Sequence, residues 1–197
     1  MPTSSLKNYP ASYPTVISVI VSCLAANVAV GIIVRKIGLP IYLDTIGTIL
    51  ATILLGWRWG LITAGSSVLL SSLLIWPQYF LYFATALGIV GSVEIAHRLS
   101  LFQTPFRTVW AGLLVAVVAA LLSAPVTTYL FKAATFSGND IITAFFRSMG
   151  NSLLESVIFS GFSSEPIDKV ITCLIVYYTL KGFPGYILSR YHLRGLL

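Results

Sequence analysis

Six acidic residues stand in a chain whose side chains are 57% hydrophobic and only 9% charged. An ionised group inside apolar surroundings costs at least a few kcal/mol by insertion scales, so each acid needs a reason. Asp44 lies in the stretch Pro40 to Thr48, PIYLDTIGT, two residues into an apolar run. A carboxylate there serves either the positive end of a helix dipole or contact with a ligand. Glu94 precedes Arg98 by four residues, the spacing at which helical side chains pair, and reads as structural. Glu165, Asp168 and Lys169 surround Pro166 where a last helix is expected to open, and acids in a first turn are ordinary capping choices. Arg147, Asn151 and Glu155 repeat at a four-residue spacing, which puts them on one helix face. Two opposite charges and an amide on one face turn either to a cavity or to each other in an internal salt bridge.

Aromatic residues crowd the neighbouring positions: Trp76, Tyr79, Phe80, Tyr82 and Phe83. They suit an interfacial belt and equally suit the clasping of a flat ligand. Signals for catalysis are lacking. His97 and His192 fall in expected loop or tail without metal-ligand spacing, and the chain has no glycine-rich phosphate loop, nucleophile elbow or zinc motif. The expectation is therefore a protein that is not an enzyme and needs no metal or cofactor. Cys23 and Cys173 sit in apolar runs, where a thiol behaves as a small hydrophobe.

The elements that position these residues are apolar runs of spanning length, about 20 residues each. The first extends from Thr15 to Val34 and stops at Arg35, Lys36, Gly38 and Pro40. The second is read from Tyr42 to Gly56, with Trp57, Arg58 and Trp59 as an interfacial turn. A third covers Gly60 to Ile75, Trp76 to Gln78 form a break, and a fourth covers Tyr79 to Ala96. The fifth, Thr108 to Phe131, is expected to kink at Pro125. Ile141 to Phe159 reads as one polar-faced helix carrying Arg147, Asn151 and Glu155, Ser160 to Pro166 as a break, and Pro166 to about Lys181 as the last span.

The expected fold is an all-α membrane protein with about six transmembrane helices in one bundle, plus a polar-faced helical segment before the last helix. Residues 1–197 form a single membrane-embedded substrate-binding unit in this reading. The net charge of +6 does not imply nucleic acid, because the basic residues are scattered at the ends of apolar runs. They report topology instead. With the amino terminus inside, Lys7, Arg58, Arg98, Arg107, Lys181, Arg190 and Arg194 collect on the cytoplasmic face. Arg35, Lys36, Lys132, Arg147 and Lys169 stay outside, on the same side as the first loop, the third loop and the polar stretch from Lys132 to Lys169. The first run, preceded only by Lys7, reads as a retained helix rather than a cleaved signal.

Two segments, GLPIYLDTIGTILATILLGWRWG from Gly38 to Gly60 and SGNDIITAFFRSMGNSLLESVIFSGFSSEPIDK from Ser137 to Lys169, resemble the S components of energy-coupling factor transporters. S components are the substrate-binding membrane subunits of prokaryotic vitamin importers. Ala25 and Ala29, small residues four apart that let another helix approach closely, resemble the motif by which that family docks its membrane-embedded coupling subunit. The resemblance implies capture of a small water-soluble vitamin or related micronutrient outside a prokaryotic plasma membrane, with both termini cytoplasmic. It also implies delivery powered by a coupling subunit and two ATPase subunits, the S component toppling in the membrane to carry its site inward. Family sites map onto the neighbourhoods of Tyr42 and Asp44, of Trp76 through Tyr79 to Tyr82, and of Asn139 to Asp168, with Arg147, Asn151 and Glu155 between. Two other readings fit the same composition: a membrane sensor or assembly protein in which Arg147 and Glu155 merely pair, and a self-sufficient oligomeric carrier or channel.

Overall fold

A computed structural model describes residues 13–183, whose regular elements are all helices, with no strand among them. The order is α1 (Tyr13–Ile37), α2 (Ile46–Leu55), α3 (Trp57–Leu74), a 3-10 helix (Pro77–Tyr82), α4 (Phe83–Arg98), α5 (Pro105–Pro125) running into a π turn (Val126–Leu130), α6 (Asn139–Ser148) and α7 (Leu153–Gly182). Three segments are long and apolar enough to cross a membrane: Tyr13–Ile37, Pro77–Arg98 and Pro105–Leu130.

The other expected spans differ for physical reasons. α2 has 10 residues and reaches only about 15 Å at 1.5 Å per residue, half of a hydrocarbon layer. α7 has 30 residues but carries Glu165, Asp168 and Lys169 in its middle. α3 begins directly at Trp57, so Trp57, Arg58 and Trp59 form its first turn and not an interfacial turn between helices.

The bundle is built with apolar surface outside and polar groups within. Leu73 is 82% exposed, and Ile17, Val21, Leu69, Trp110 and Leu121 are also well exposed. Burying such a side chain away from water gains roughly 1.5–3 kcal/mol, so this face suits hydrocarbon. Inside, Ile49, Val93, Phe102, Val115, Cys173 and Val176 pack a core over the end where α4 and α5 connect. Asn27, Thr48, Ser67, Ser160, Ser164, Asp168, Lys169 and Thr172 are buried elsewhere in the bundle.

Asn27 joins three helices. Its Oδ1 accepts from the Gly47 amide at 2.6 Å, and its Nδ2 donates to Thr48 Oγ1 and Ser67 Oγ, each at 2.9 Å. α1 and α2 touch backbone to backbone at this point, because a Cβ on Gly47 would run into the main chain of Cys23. A second close approach brings Gly112 of α5 against Val170 of α7.

Pro125 has no amide to give, and the helix passes there into the π turn, as a proline near a helix end permits. Glu94 and Arg98 pair at 2.7 Å as their spacing predicts. His97 is the penultimate residue of α4 and buried, not in a loop.

Three corrections concern the polar half of the chain. Asp44 does not lie within the second helix: α2 begins at Ile46, and Asp44 stands in the loop before its N-cap Thr45. The expected helix from Ile141 to Phe159 is two helices. It stops because Gly150 takes a left-handed φ of +92°, and restarts at Ser152, whose hydroxyl accepts from the Glu155 amide while the Glu155 carboxylate accepts from the Ser152 amide. The expected break from Ser160 to Pro166 is absent, since α7 runs through it with Pro166 inside. Glu165, Asp168 and Lys169 consequently sit in mid-helix, buried, and not in an exposed first turn. Lys169 is buried in the bundle and not exposed on a face of it. Lys7, Arg190, His192 and Arg194 lie outside the described residues.

Candidate functional site

The loop after α1, the end of α3 with the 3-10 helix, the π turn after α5, α6 and the first half of α7 meet at one end of the bundle. They enclose a cavity of about 120 Å³ that reaches inward to Thr48, Ser67 and Ile89. A cavity of roughly 150 Å³ holds a benzene ring, so the space is that of one small ring.

Each wall is fixed by a local device. Asp168, fully buried, accepts at Oδ1 from the amides of Tyr42 and Leu43 at 2.9 and 2.7 Å, while its other oxygen accepts from Lys169. That fastens the Tyr42–Asp44 loop onto α7 even though Leu43 sits at φ +49°. Tyr42 is met by Asn139, whose Nδ2 lies 3.3 Å from the phenol oxygen, and Asn139 in turn accepts from Ser160 at 3.1 Å. Burial pushes the Tyr42 phenol well above its ordinary range.

Asp44 accepts a 2.5 Å hydrogen bond from the Tyr79 hydroxyl. Burial pushes its carboxyl above the ordinary carboxylate range; Lys169 pulls it back, Asp168 pushes it further up, and the Tyr79 bond pulls it down.

The roof is aromatic. Trp76 packs on Phe131 at 4.9 Å and edge-on against Phe136 at 5.8 Å. Tyr82 stacks on Phe131 at 5.5 Å and shares a 2.9 Å hydrogen bond with Thr127. The Arg35 guanidinium lies 5.7 Å from the Trp76 ring centre and donates to the Thr135 carbonyl at 2.7 Å. Asp140 gathers the strand of chain beneath, accepting from the amides of Thr135 and Phe136 at 2.9 and 2.8 Å. Lys132, Ala133 and Phe136 in this segment adopt left-handed backbone conformations, which non-glycine residues rarely hold without such fastening.

Of the residues singled out in the sequence, Tyr42, Asp44, Trp76, Tyr79, Tyr82 and Asn139 line the cavity. Asp168 stands behind the wall and positions it. Arg147, Asn151 and Glu155 do not reach the cavity and share no helix face: the Arg147 guanidinium donates to the Asn151 carbonyl, the Asn151 amide donates to the Phe146 carbonyl, and Glu155 caps α7. Arg147 and Glu155 are exposed and form no ion pair with each other.

The structure adds Arg35, Glu165 and Lys169 to the lining. Lys169 lies 3.3 Å from Glu165 as well as against Asp168. The Glu165–Lys169 spacing of four within an otherwise apolar helix was the sequence signal for this pair. Ala25 and Ala29 lie exposed on the outer face of α1, away from the cavity.

Buried polar atoms are normally hydrogen-bonded. Among the described residues, Thr45 Oγ1 and Thr85 Oγ1 are buried without a hydrogen-bond partner and line this cavity, where Glu165 Oε2 has only its ion pair with Lys169. A polar ligand seated there is the chemistry such a lining can serve. Comparison of the chain with models of protein families, with curated proteins and with solved structures gives no match.

Proposed function

We propose that this protein is the substrate-capture subunit of an energy-coupling-factor type importer, a polytopic membrane protein with about six spans that binds a small, single-ring water-soluble vitamin or related micronutrient at the end of its bundle. The observation that carries this reading is the cavity itself. Loops from both halves of the chain converge on an interior space that is aromatic on one side, polar on the other, and bounded by helices with lipid-compatible outer faces. The buried hydroxyls of Thr45 and Thr85, without a hydrogen-bond partner in the wall, suit a binding site, where a polar ligand satisfies them.

In this reading the cavity faces outward. Ala25 and Ala29 dock a membrane-embedded coupling subunit that brings two ATPase subunits. The S component needs no catalytic group of its own because ATP hydrolysis sits in those partners.

The test is reconstitution. The chain, co-expressed with an energy-coupling module, is purified through a tag on this subunit and placed in liposomes. ATP-dependent solute uptake supports the assignment. Uptake without ATP and without partner subunits overturns it in favour of a self-sufficient carrier. The docking face is tested separately: Ala25→Trp combined with Ala29→Trp abolishes co-purification of the coupling subunit while leaving ligand-induced stabilisation of the isolated chain intact. Loss of neither contradicts the assigned face.

A further inference from the structure

We propose that the cavity selects a positively charged, single-ring heterocycle, with Asp44 and Glu165 as its counter-ions and the aromatic roof as its stacking surface. The inference rests on the reading of the cavity as a ligand site and adds the charge and size of what it takes.

The charge balance of the lining is the starting point. Asp44, Asp140 and Glu165 line the space and Asp168 lies directly behind it, against the two cations Arg35 and Lys169. Asp168 is satisfied by two amides and Lys169, and Asp140 by two amides and the Thr135 hydroxyl. Arg35 is turned to the Thr135 carbonyl and the Trp76 face. Asp44 accepts one hydrogen bond from another side chain, a neutral phenol, and among the described residues no cation lies within ion-pair distance of it.

Glu165 supplies the second, independent observation. Its side chain is 8% exposed, and among the described residues its Oε2 pairs with Lys169 alone, at 3.3 Å, a cation that also holds Asp168. Two carboxyl groups lining one cavity thus share less than one cation between them. Buried charges need partners, and a cationic ligand supplies the missing one.

The rest of the lining sets the ligand's shape. Tyr79 and Tyr82 stand 6.1 Å apart centre to centre beside Trp76. Aromatic faces attract cations through the ring quadrupole, and planar rings stack on them. The volume of about 120 Å³, somewhat below the roughly 150 Å³ that holds benzene, limits the ligand to one small ring. The orphaned hydroxyls of Thr45 and Thr85 are available to polar atoms on that ring.

Equilibrium binding to the detergent-purified full chain tests this with three probes that share one ring and differ in charge: 1-methylnicotinamide (cation), nicotinamide (neutral) and nicotinate (anion). Tryptophan fluorescence and thermal stability are read in parallel. The expected result is binding of the cation at least about ten-fold tighter than of the neutral ring, a difference of roughly 1.4 kcal/mol, with the anion weakest. In Asp44→Asn and Glu165→Gln, each isosteric and checked for a monodisperse elution profile, the cation preference falls to near unity while neutral-ring binding is retained. Neutral or anionic rings binding as tightly as the cation overturn the charge inference and leave the ligand site standing. If no probe of any charge binds and none stabilises the protein, both the inference and the reading beneath it fail.

Discussion

Asp44 and Asp168 show how two carboxylates in one small region take different tasks. Asp168 holds a loop; Asp44, presented by that loop, faces the cavity with a phenol as its partner. Breaking a buried ion pair by deleting one partner costs about 3–5 kcal/mol, so Asp168→Ala is expected to lower thermal stability by that order and to abolish ligand binding by freeing Tyr42 and Asp44. Unchanged unfolding in a thermal melt would show that the loop is held by something else.

Asp44 carries a pH signature. Lys169, Asp168, Glu165 and Tyr79 act on it, and burial raises its carboxyl above the unfolded value of about 3.9. A raised folded-state value means that the native state holds the proton more tightly. The stabilising contribution is complete below about pH 4 and is lost as pH rises through the folded-state value. Wild type is therefore expected to lose stability relative to Asp44→Asn as pH is raised from about 4, in melts of the two proteins side by side. Parallel pH profiles would contradict this.

These two roles were only half legible in the residues. The type and rarity of the acids marked them out, but whether Asp168 faced the ligand or held a loop depends on a contact spanning well over a hundred positions, which local spacing does not encode.

At the scale of elements, the helices were legible where period and length decide and illegible where proline and glycine compete. The first, fourth and fifth spans were placed by their apolar lengths. Pro166 was read as a helix start because it lacks an amide, yet α7 continues through it. Prolines are tolerated inside membrane-type helices, and the missing amide at Pro166 does not end α7. Conversely, Gly150 followed by Ser152 and Glu155 spelled a helix stop and a capping box, and that signal outranks the four-residue repeat of Arg147, Asn151 and Glu155.

The junction of α1, α2 and α3 yields the element-scale prediction. Asn27→Leu leaves the Gly47 amide and the Thr48 and Ser67 hydroxyls without that partner. At about 1–3 kcal/mol for each buried polar group left unpaired, the loss is expected to reach at least ~3 kcal/mol. Gly47→Ala presses a methyl into the Cys23 main chain, which has no rotamer to move to, and is expected to destabilise by about 1–3 kcal/mol or more. Melts indistinguishable from wild type for both variants would remove this junction from the account.

At the scale of the molecule, the ordering of polarity explains why the all-helical, apolar character was evident early and the number of spans and the site were not. Apolar side chains dominate the exterior of the helices, and composition reports that directly. Buried polar residues are distributed over all the helices from α1 to α7, and only their assembly shows which of them surround an empty space and which merely bond to one another.

The central claim, that this space captures a small solute, is tested most directly by thermal stability of the detergent-purified chain across a panel of water-soluble vitamins and related single-ring compounds. A ligand at 100 times its dissociation constant stabilises by about 2.7 kcal/mol. The account predicts a clear upward shift with at least one compound, lost in Asp44→Ala and in Tyr79→Ala and preserved in Arg147→Ala, because Arg147 lies off the cavity. A panel without any shift, or a shift abolished by Arg147→Ala and indifferent to Asp44 and Tyr79, would contradict it.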